Sequence, residues 1–409
     1  MKYIVLLGDG MADRPMKELD GKTPLQAART PNMDRLAQNG ITAKVQTVPG
    51  GYPPGSDVAN LSVMGYDPKK FYTGRSPLEA ASMGVELAPT DVAYRCNVVT
   101  LRNGDSLEPT SLSSSLIMDD FSGGHISTEE ARELILAVDK ELGSESVRFH
   151  PGVSYRHLMV WKNGLELAKC TPPHDISGKA IGDHLPGGEG MAMLRDLMTR
   201  SIAVLGNHEV NKKRIAKGKK PANCIWLWGQ GRKPSMPTYK EKYGLSGAVI
   251  SAVDLTKGLG IYAGFEVLNV PGATGYIDTN YSGKAEYALK ALETVDYVYL
   301  HVEAPDEAGH NGDLKAKIQA IEDFDAKVVG AVVEGMKRFG DHRILVMPDH
   351  PTPIEIKTHS SDPVPAIVFD STGALKGKGA ATYDEGIVTS SRLVFEDGHR
   401  LMDFFIGDK

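Results

Sequence analysis

Short apolar runs that stop abruptly at Gly, Asp or Pro recur along this chain: YIVLLGDG (3–10), YVYLHVEAPD (297–306), RILVMPDH (343–350) and PAIVFD (365–370). A strand buried on both faces needs a run this short and this continuously apolar. Between them lie stretches with apolar residues at helical spacing, KAEYALKALETV (284–295) and DLKAKIQAIEDFDAKVVGAVVEGMKRFG (313–340). Strand, helix, strand with few hairpin signals predicts an α/β fold, a mostly parallel sheet covered by helices on both faces.

Sheets of this kind bind ligands outside the carboxyl ends of their strands. Asp9 ends the first run, Asp306 follows the second, and Asp349 with His350 ends the third. Three strands thus bring acid or imidazole groups to one edge. In HVEAPDEAGH (301–310) Asp306 and His310 stand four residues apart, one helical turn along a common face, so both could reach one point in space. The bland alternative is a helix cap followed by a solvated histidine. His359 follows nine residues after His350 in a loop broken by prolines, a layout that suits ligands drawn from a strand end and its returning loop. Ser56, after a Pro-Gly loop and before DVANLSVMG, opens a helix; most serines so placed are N-caps, and the functional reading is a nucleophile where backbone N–H groups welcome a phosphate.

The middle of the chain reads differently. From about residue 89 to 233 it carries Ser- and Gly-rich joints, a helix signal at STEEARELILAVDKEL (127–142) and a strand-like YRHLMVW (155–161). This predicts a smaller α+β domain, 89–233, inserted between two parts of the sheet domain, 1–88 and 234–409. With 409 residues, 41% of them hydrophobic, the chain can bury a core in each. A net charge of −6 argues against a nucleic-acid partner, and the basic run KKRIAKGKK (212–220) reads as a solvated loop. Three scattered cysteines without C-x-x-C, no signal-like start and no membrane-length apolar segment lead to the expectation of a cytoplasmic protein. The oligomeric state is left open, a homo-oligomer included.

Asp9, Asp306, Asp349, His310, His350, His359 and the hydroxyl of Ser56 are more groups than one ion uses. They would serve two ions about 3.5–4 Å apart, an arrangement suited to in-line displacement at phosphorus. At this point the sequence resembles a known family, the archaeal-type cofactor-independent phosphoglycerate mutases of the alkaline phosphatase superfamily. The likeness runs through LLGDGMADRP, TPNMDRLA, PPGSDVANLSVMGYDP, YTGRSPLEAASMG, EAPDEAGHNGD, PDHPTP and KTHSSDPVP. It implies an alkaline-phosphatase-like three-layer sandwich whose insert acts as a lid. It also implies interconversion of 3-phosphoglycerate and 2-phosphoglycerate, in glycolysis and gluconeogenesis, through a phosphoserine on Ser56. By the same resemblance Asp9, Ser56, Asp349 and His350 surround one metal, and Asp306, His310 and His359 the other. Mixed carboxylate and imidazole shells suit manganese, which we favour, or cobalt or zinc; magnesium needs extra waters, and neither 2,3-bisphosphoglycerate nor a nucleotide is required.

A substrate with a phosphate and a carboxylate calls for cationic partners. Candidates are Arg95, Arg156 and Lys257, with His174 and Asp175 for holding or deprotonating a glycerate hydroxyl; Arg232 fits a structural ion pair better. The serine of the longer bacterial form stands in Asn-Ser-Glu-Val-Gly-His, whereas here it stands in GSDVAN, so that form's glycerate ligands do not transfer to residues 89–233. The rival enzymes are a phosphomonoesterase or a phosphopentomutase of the same superfamily, and the non-enzymatic rival is a metal-binding scaffold. A nucleotide enzyme is disfavoured: GDGMAD lacks the third glycine of G-x-G-x-x-G, and no G-x-x-x-x-G-K-[ST] occurs.

Overall fold

The computed structural model describes residues 1–407 and divides them into two compact units, residues 1–72 with 235–407 and residues 73–234. Thirteen strands, numbered along the chain, are found among the described residues. The first unit holds β1 (Lys2–Gly8), β2 (Ile41–Val45), β8 (Gly247–Ile250), β9 (Glu266–Val267), β10 (Tyr297–Val302), β11 (His342–Met347), β12 (Val364–Asp370) and β13 (Leu393–Phe395). They form one sheet in the order β13-β2-β12-β11-β1-β10-β8-β9. β12 pairs antiparallel with both neighbours and the remaining pairs are parallel.

Every residue of β10 and β11 is buried, because the strand pleat sends alternate side chains into two different cores. Ile4, Leu6, Val298, Leu300, Ile344 and Val346 pack with residues of the helices Pro31–Asn39, Tyr281–Ala291 and Leu314–Met336. On the opposite face Tyr297 meets Tyr239 and Phe265, and Tyr3 meets Phe405. The result is the expected three layers. The long helix at 314–336 is continuous but passes through a π-helical turn, Phe324–Val329. There the buried carboxylate of Asp325 accepts the N–H groups of Asn32 and Met33, capping a neighbouring helix whose own Thr30 does not.

In the second unit β3 (Val92–Arg102) pairs antiparallel with β4 (Ile117–Asp120), β6 (Arg156–Trp161) and β7 (Cys224–Arg232), and β5 (Val147–His150) lies beyond β6. The expected helix is present as Thr128–Leu142, with the Ser127 hydroxyl accepting the Glu130 N–H. It packs with Met191–Gly206 over one face of β3.

Two readings need correction. The first boundary falls at Tyr72/Thr73 rather than 88/89, because Ala80 and Leu87 pack against Ala93, Leu158 and Val160 and so cover the second face of this sheet. The basic run at 212–220 is not simply a loop: Glu209–Ala216 is helical, and Arg214, 1% exposed, points inward to Glu130 and the carbonyls of Gly123, Gly124 and Lys220. No helix among the described residues is long and apolar enough to cross a membrane.

Candidate active site

β1 lies between β10 and β11, so the three carboxyl ends named above are neighbours. Asp9 leaves β1 and the chain turns at once through Gly10, at φ 60°. A Cβ on Gly10 would come within 2.6 Å of Asp306 Oδ1 and 2.5 Å of Thr352 Oγ1, so both the turn and the close approach demand glycine here. Asp349 follows β11, where its Oδ1 accepts the N–H groups of His350 at 2.9 Å and Gly10 at 3.3 Å. After β10 the helix Ala304–Asn311, with Pro305 in its first turn, carries Asp306 and His310 on one face, Nε2 to Oδ2 3.2 Å. The loop after Pro351 returns His359, and the Ser360 N–H bonds to the Pro351 carbonyl.

Ser56 is not an N-cap. Gly55 holds that position in extended backbone and Ser56 is the first helical residue of Ser56–Val63, its Oγ 3.0 Å from His350 Nε2. That nitrogen also lies 3.3 Å from Asp349 Oδ2 and 3.6 Å from Asp9 Oδ1. Asp9 is fully buried and its Oδ1 has no hydrogen-bond partner. Around Asp306, His310 Nδ1 lies 3.0 Å from the Lys357 carbonyl and His359 Nδ1 3.4 Å from the Pro54 carbonyl. A carbonyl only accepts, so each ring carries a proton on Nδ1 and turns its Nε2 inward, where it can take a proton or a cation. They face each other at 2.9 Å, with Asp306 oxygens 3.2 and 3.5 Å away. A set composed entirely of acceptors is built around a positive charge. The rings of His350 and His359, 4.1 Å apart, form the wall between the two groups.

The electrostatics agree. Burial and then the neighbouring Asp349 raise the Asp9 carboxyl well above its usual range. Burial works in the same direction on Asp306, but hydrogen bonds from His310 and His359 outweigh it and hold that carboxyl well below. The Asp306 bond in turn raises His310 to about 9, so a proton occupies the place a cation would take. The donor set fits divalent metals: Asp306, His350 and His359, and likewise Asp9, Asp349 and His350, each bring ligand atoms within 4.8 Å of one another.

Sequence reasoning passed over the polar residues that hold these groups. His301 Nε2 lies 2.8 Å from Asp9 Oδ2, Thr352 Oγ1 bonds to Asp306, and the buried Lys317 ties Asp13 to the Thr352 carbonyl. Tyr299 and His301, alternate residues of a wholly buried strand, were a usable signal, since a polar group there must have a partner.

Of the substrate candidates, Lys257 lies on the first unit's helix Asp254–Tyr262 and adds its charge near Lys284, whose amine donates to the His301 carbonyl. The second unit brings Arg95 and His174 to one ring: the Arg95 guanidinium sits 4.3 Å over Trp228, and the His174 ring meets it edge-on at 5.3 Å. Arg95 is buried, its Nε 3.1 Å from Glu79 Oε2, while burial, opposed by Glu79, lowers its pKa to about 10. Arg75 and Arg156 act on it as like charges. Asp175, mostly exposed, lies 3.5 Å from His174 Nε2, and Arg156 stacks over Tyr155. Arg232 is structural, bonded to Glu166 and to the carbonyls of Thr90 and Gly164.

The family model described as 2,3-bisphosphoglycerate-independent phosphoglycerate mutase matches residues 37–211. The chain is 59% identical over 406 residues to a probable enzyme of that name from Geobacter sulfurreducens, covering 99% of this chain and 100% of the relative. It is 54% identical over 401 residues to the one from Methanothrix thermoacetophila, covering 96% and 98%. Among solved structures it is similar to a Pyrococcus horikoshii protein, with a TM-score of 0.79 at 28% identity over 100% of this chain and 98% of that one. It is also similar to the cofactor-independent phosphoglycerate mutase of Thermoplasma acidophilum, with a TM-score of 0.66 at 27% identity and 99% coverage of both.

Proposed function

Since the chain belongs to the 2,3-bisphosphoglycerate-independent phosphoglycerate mutases, an isomerase family, we propose that its chemistry runs through Ser56 at the junction of the two acid–imidazole groups. The enzyme interconverts 3-phosphoglycerate and 2-phosphoglycerate. In the proposed route Ser56 Oγ gives up its proton and attacks phosphorus, the bond from phosphorus to O3 of the substrate breaks, and glycerate leaves with that proton, relayed to O3. Glycerate turns while bound, O2 gives up its proton and attacks the phosphoserine, and the Oγ–phosphorus bond breaks to restore Ser56.

Asp9, Ser56, Asp349 and His350 would hold one divalent ion and Asp306, His310 and His359 a second, with manganese favoured over cobalt, zinc or magnesium. Such ions, when bound, lower the pKa of the serine hydroxyl and neutralise phosphoryl charge. Arg95 and Arg156 are assigned the substrate's anionic groups, His174 and Asp175 its hydroxyl, and Lys257 further cationic support. The lid role expected of the second unit belongs to the same proposal, since a phosphoserine must be kept from water.

The observation that carries the reading is the position of Ser56 Oγ, 3.0 Å from His350 Nε2, on a helix that it does not cap. The test is phosphorus NMR of the pure protein with 3-phosphoglycerate and manganese. 2-Phosphoglycerate is expected, and Ser56→Ala should abolish it along with any protein-bound phosphate. Glycerate and free phosphate as the main products would mark a hydrolase instead.

A further inference from the structure

Asn60 lies one helical turn beyond Ser56, fully buried. Its side-chain Nδ2 donates to the Ser56 carbonyl at 2.9 Å and to Asp349 Oδ2 at 2.7 Å, while its Oδ1 accepts the Tyr299 hydroxyl at 2.6 Å. The amide cannot be turned round, because a carbonyl and a carboxylate both demand donors and Nδ2 alone supplies them. One planar group therefore spans three segments: the nucleophile's own helical turn, a carboxylate 289 positions along the chain, and the middle of β10. Ser56 needs such a tie. It opens its helix, the N-cap position is Gly55, which has no side chain to offer, and Oγ itself bonds to His350.

We infer that Asn60 is a positioning residue for phosphoryl transfer. It fixes the Ser56 turn in register with Asp349, and Tyr299 fixes Asn60. Tyr299 is itself buried, and its hydroxyl donates to the amide oxygen of Asn60. The inference rests on Ser56 being the nucleophile, and its effect follows from geometry: a misplacement of about 1 Å in a reacting group lowers rate on the order of 100-fold.

The test is a double-mutant cycle in the manganese-loaded full-length enzyme with Asn60→Ala, Tyr299→Phe and the pair. The readouts are kcat and KM for 3-phosphoglycerate, bound metal after gel filtration, and the rate at which Ser56 gains phosphate in rapid-quench mass spectrometry. Asn60→Ala should lower kcat and the phosphorylation rate roughly 100-fold with KM within about threefold, at unchanged metal content. Tyr299→Phe should lower kcat about tenfold alone and have no further effect in the Asn60→Ala background, since it acts through the amide. Equal effects of Tyr299→Phe in both backgrounds, or a kcat in Asn60→Ala within about threefold of wild type, would overturn the inference. So would full recovery by excess metal, which would make Asn60 a metal-retention residue. Should Asn60→Ala fail to fold, Tyr299→Phe still decides through its kcat-against-KM split. A wild-type enzyme that never carries phosphate on Ser56 overturns this inference together with the reading beneath it, whereas wild-type phosphorylation with unimpaired variants overturns this inference alone.

Discussion

His157, on β6, provides a measurable acid limit to the stability of the second unit. It is 2% exposed, its Nδ1 accepts the Gly152 N–H at 3.0 Å, and its Nε2 has no partner. A proton on Nδ1 would face another donor, and burial lowers the pKa from 6.5 to about 3. Because the folded pKa lies below the unfolded one, the unfolded chain takes up a proton that the folded chain refuses; stability is complete above pH 6.5 and lost as pH falls towards 3. At pH 5 the loss is about 2 kcal/mol, from RT times the logarithm of the unfolded state's protonation factor. Asn in place of His keeps an acceptor near Nδ1 and cannot ionise. His157→Asn should therefore be less stable than wild type at pH 8, through the cavity it leaves, yet lose about 2 kcal/mol less between pH 8 and pH 5. Urea unfolding followed by tryptophan fluorescence reads the right unit, because all three tryptophans, Trp161, Trp226 and Trp228, lie within residues 73–234. Parallel stability curves for the two proteins across that range would refute the argument.

Lys317 and Asp13, both almost fully buried and 2.7 Å apart, form an ion pair whose single disruption should cost about 3–5 kcal/mol. Lys317→Met should show this in denaturant melts, and Lys317→Met/Asp13→Leu should recover most of it; a double variant as unstable as the single would refute the pair's dominance. Gly10→Ala drives a Cβ into Asp306 at a left-handed φ, so metal affinity, read by chelator competition, should fall more than tenfold while the second unit's tryptophan-monitored unfolding stays unchanged. Stripping divalent metal with a chelator should abolish mutase activity and lower the melting temperature, since buried Asp9, Asp306 and Asp349 are left without a cation; at a ligand concentration 100 times Kd the restored stability is about 2.7 kcal/mol. An unchanged melting curve after metal removal would contradict the acceptor-only character of the site.

What the sequence made legible was whatever depends on neighbours along the chain. The buried strands Tyr297–Val302 and His342–Met347 read as unbroken apolar runs because both faces are covered, Ser127 announced its helix, and the four-residue spacing of Asp306 and His310 needed only the pitch of a helix. The first domain boundary was missed for the opposite reason: Ser76–Ser82 is too short to signal by periodicity where it packs, and its allegiance is set by Ala93, Leu158 and Val160, far along the chain. Arg214 was hidden in the same way, since only Glu130 and three carbonyls distinguish it from the solvated lysines beside it. The supporting groups of the site combine both cases. That Tyr299 and His301 need partners follows from their place in a buried strand, but that His301 finds Asp9 follows from β1 lying beside β10, and that Tyr299 finds Asn60 from the helix Ser56–Val63 reaching that strand, neither of which a local pattern encodes. The acid and imidazole groups of the site therefore sit in short readable motifs, while the residues bonded to them, such as Asn60 and His301, become visible only once the fold is known.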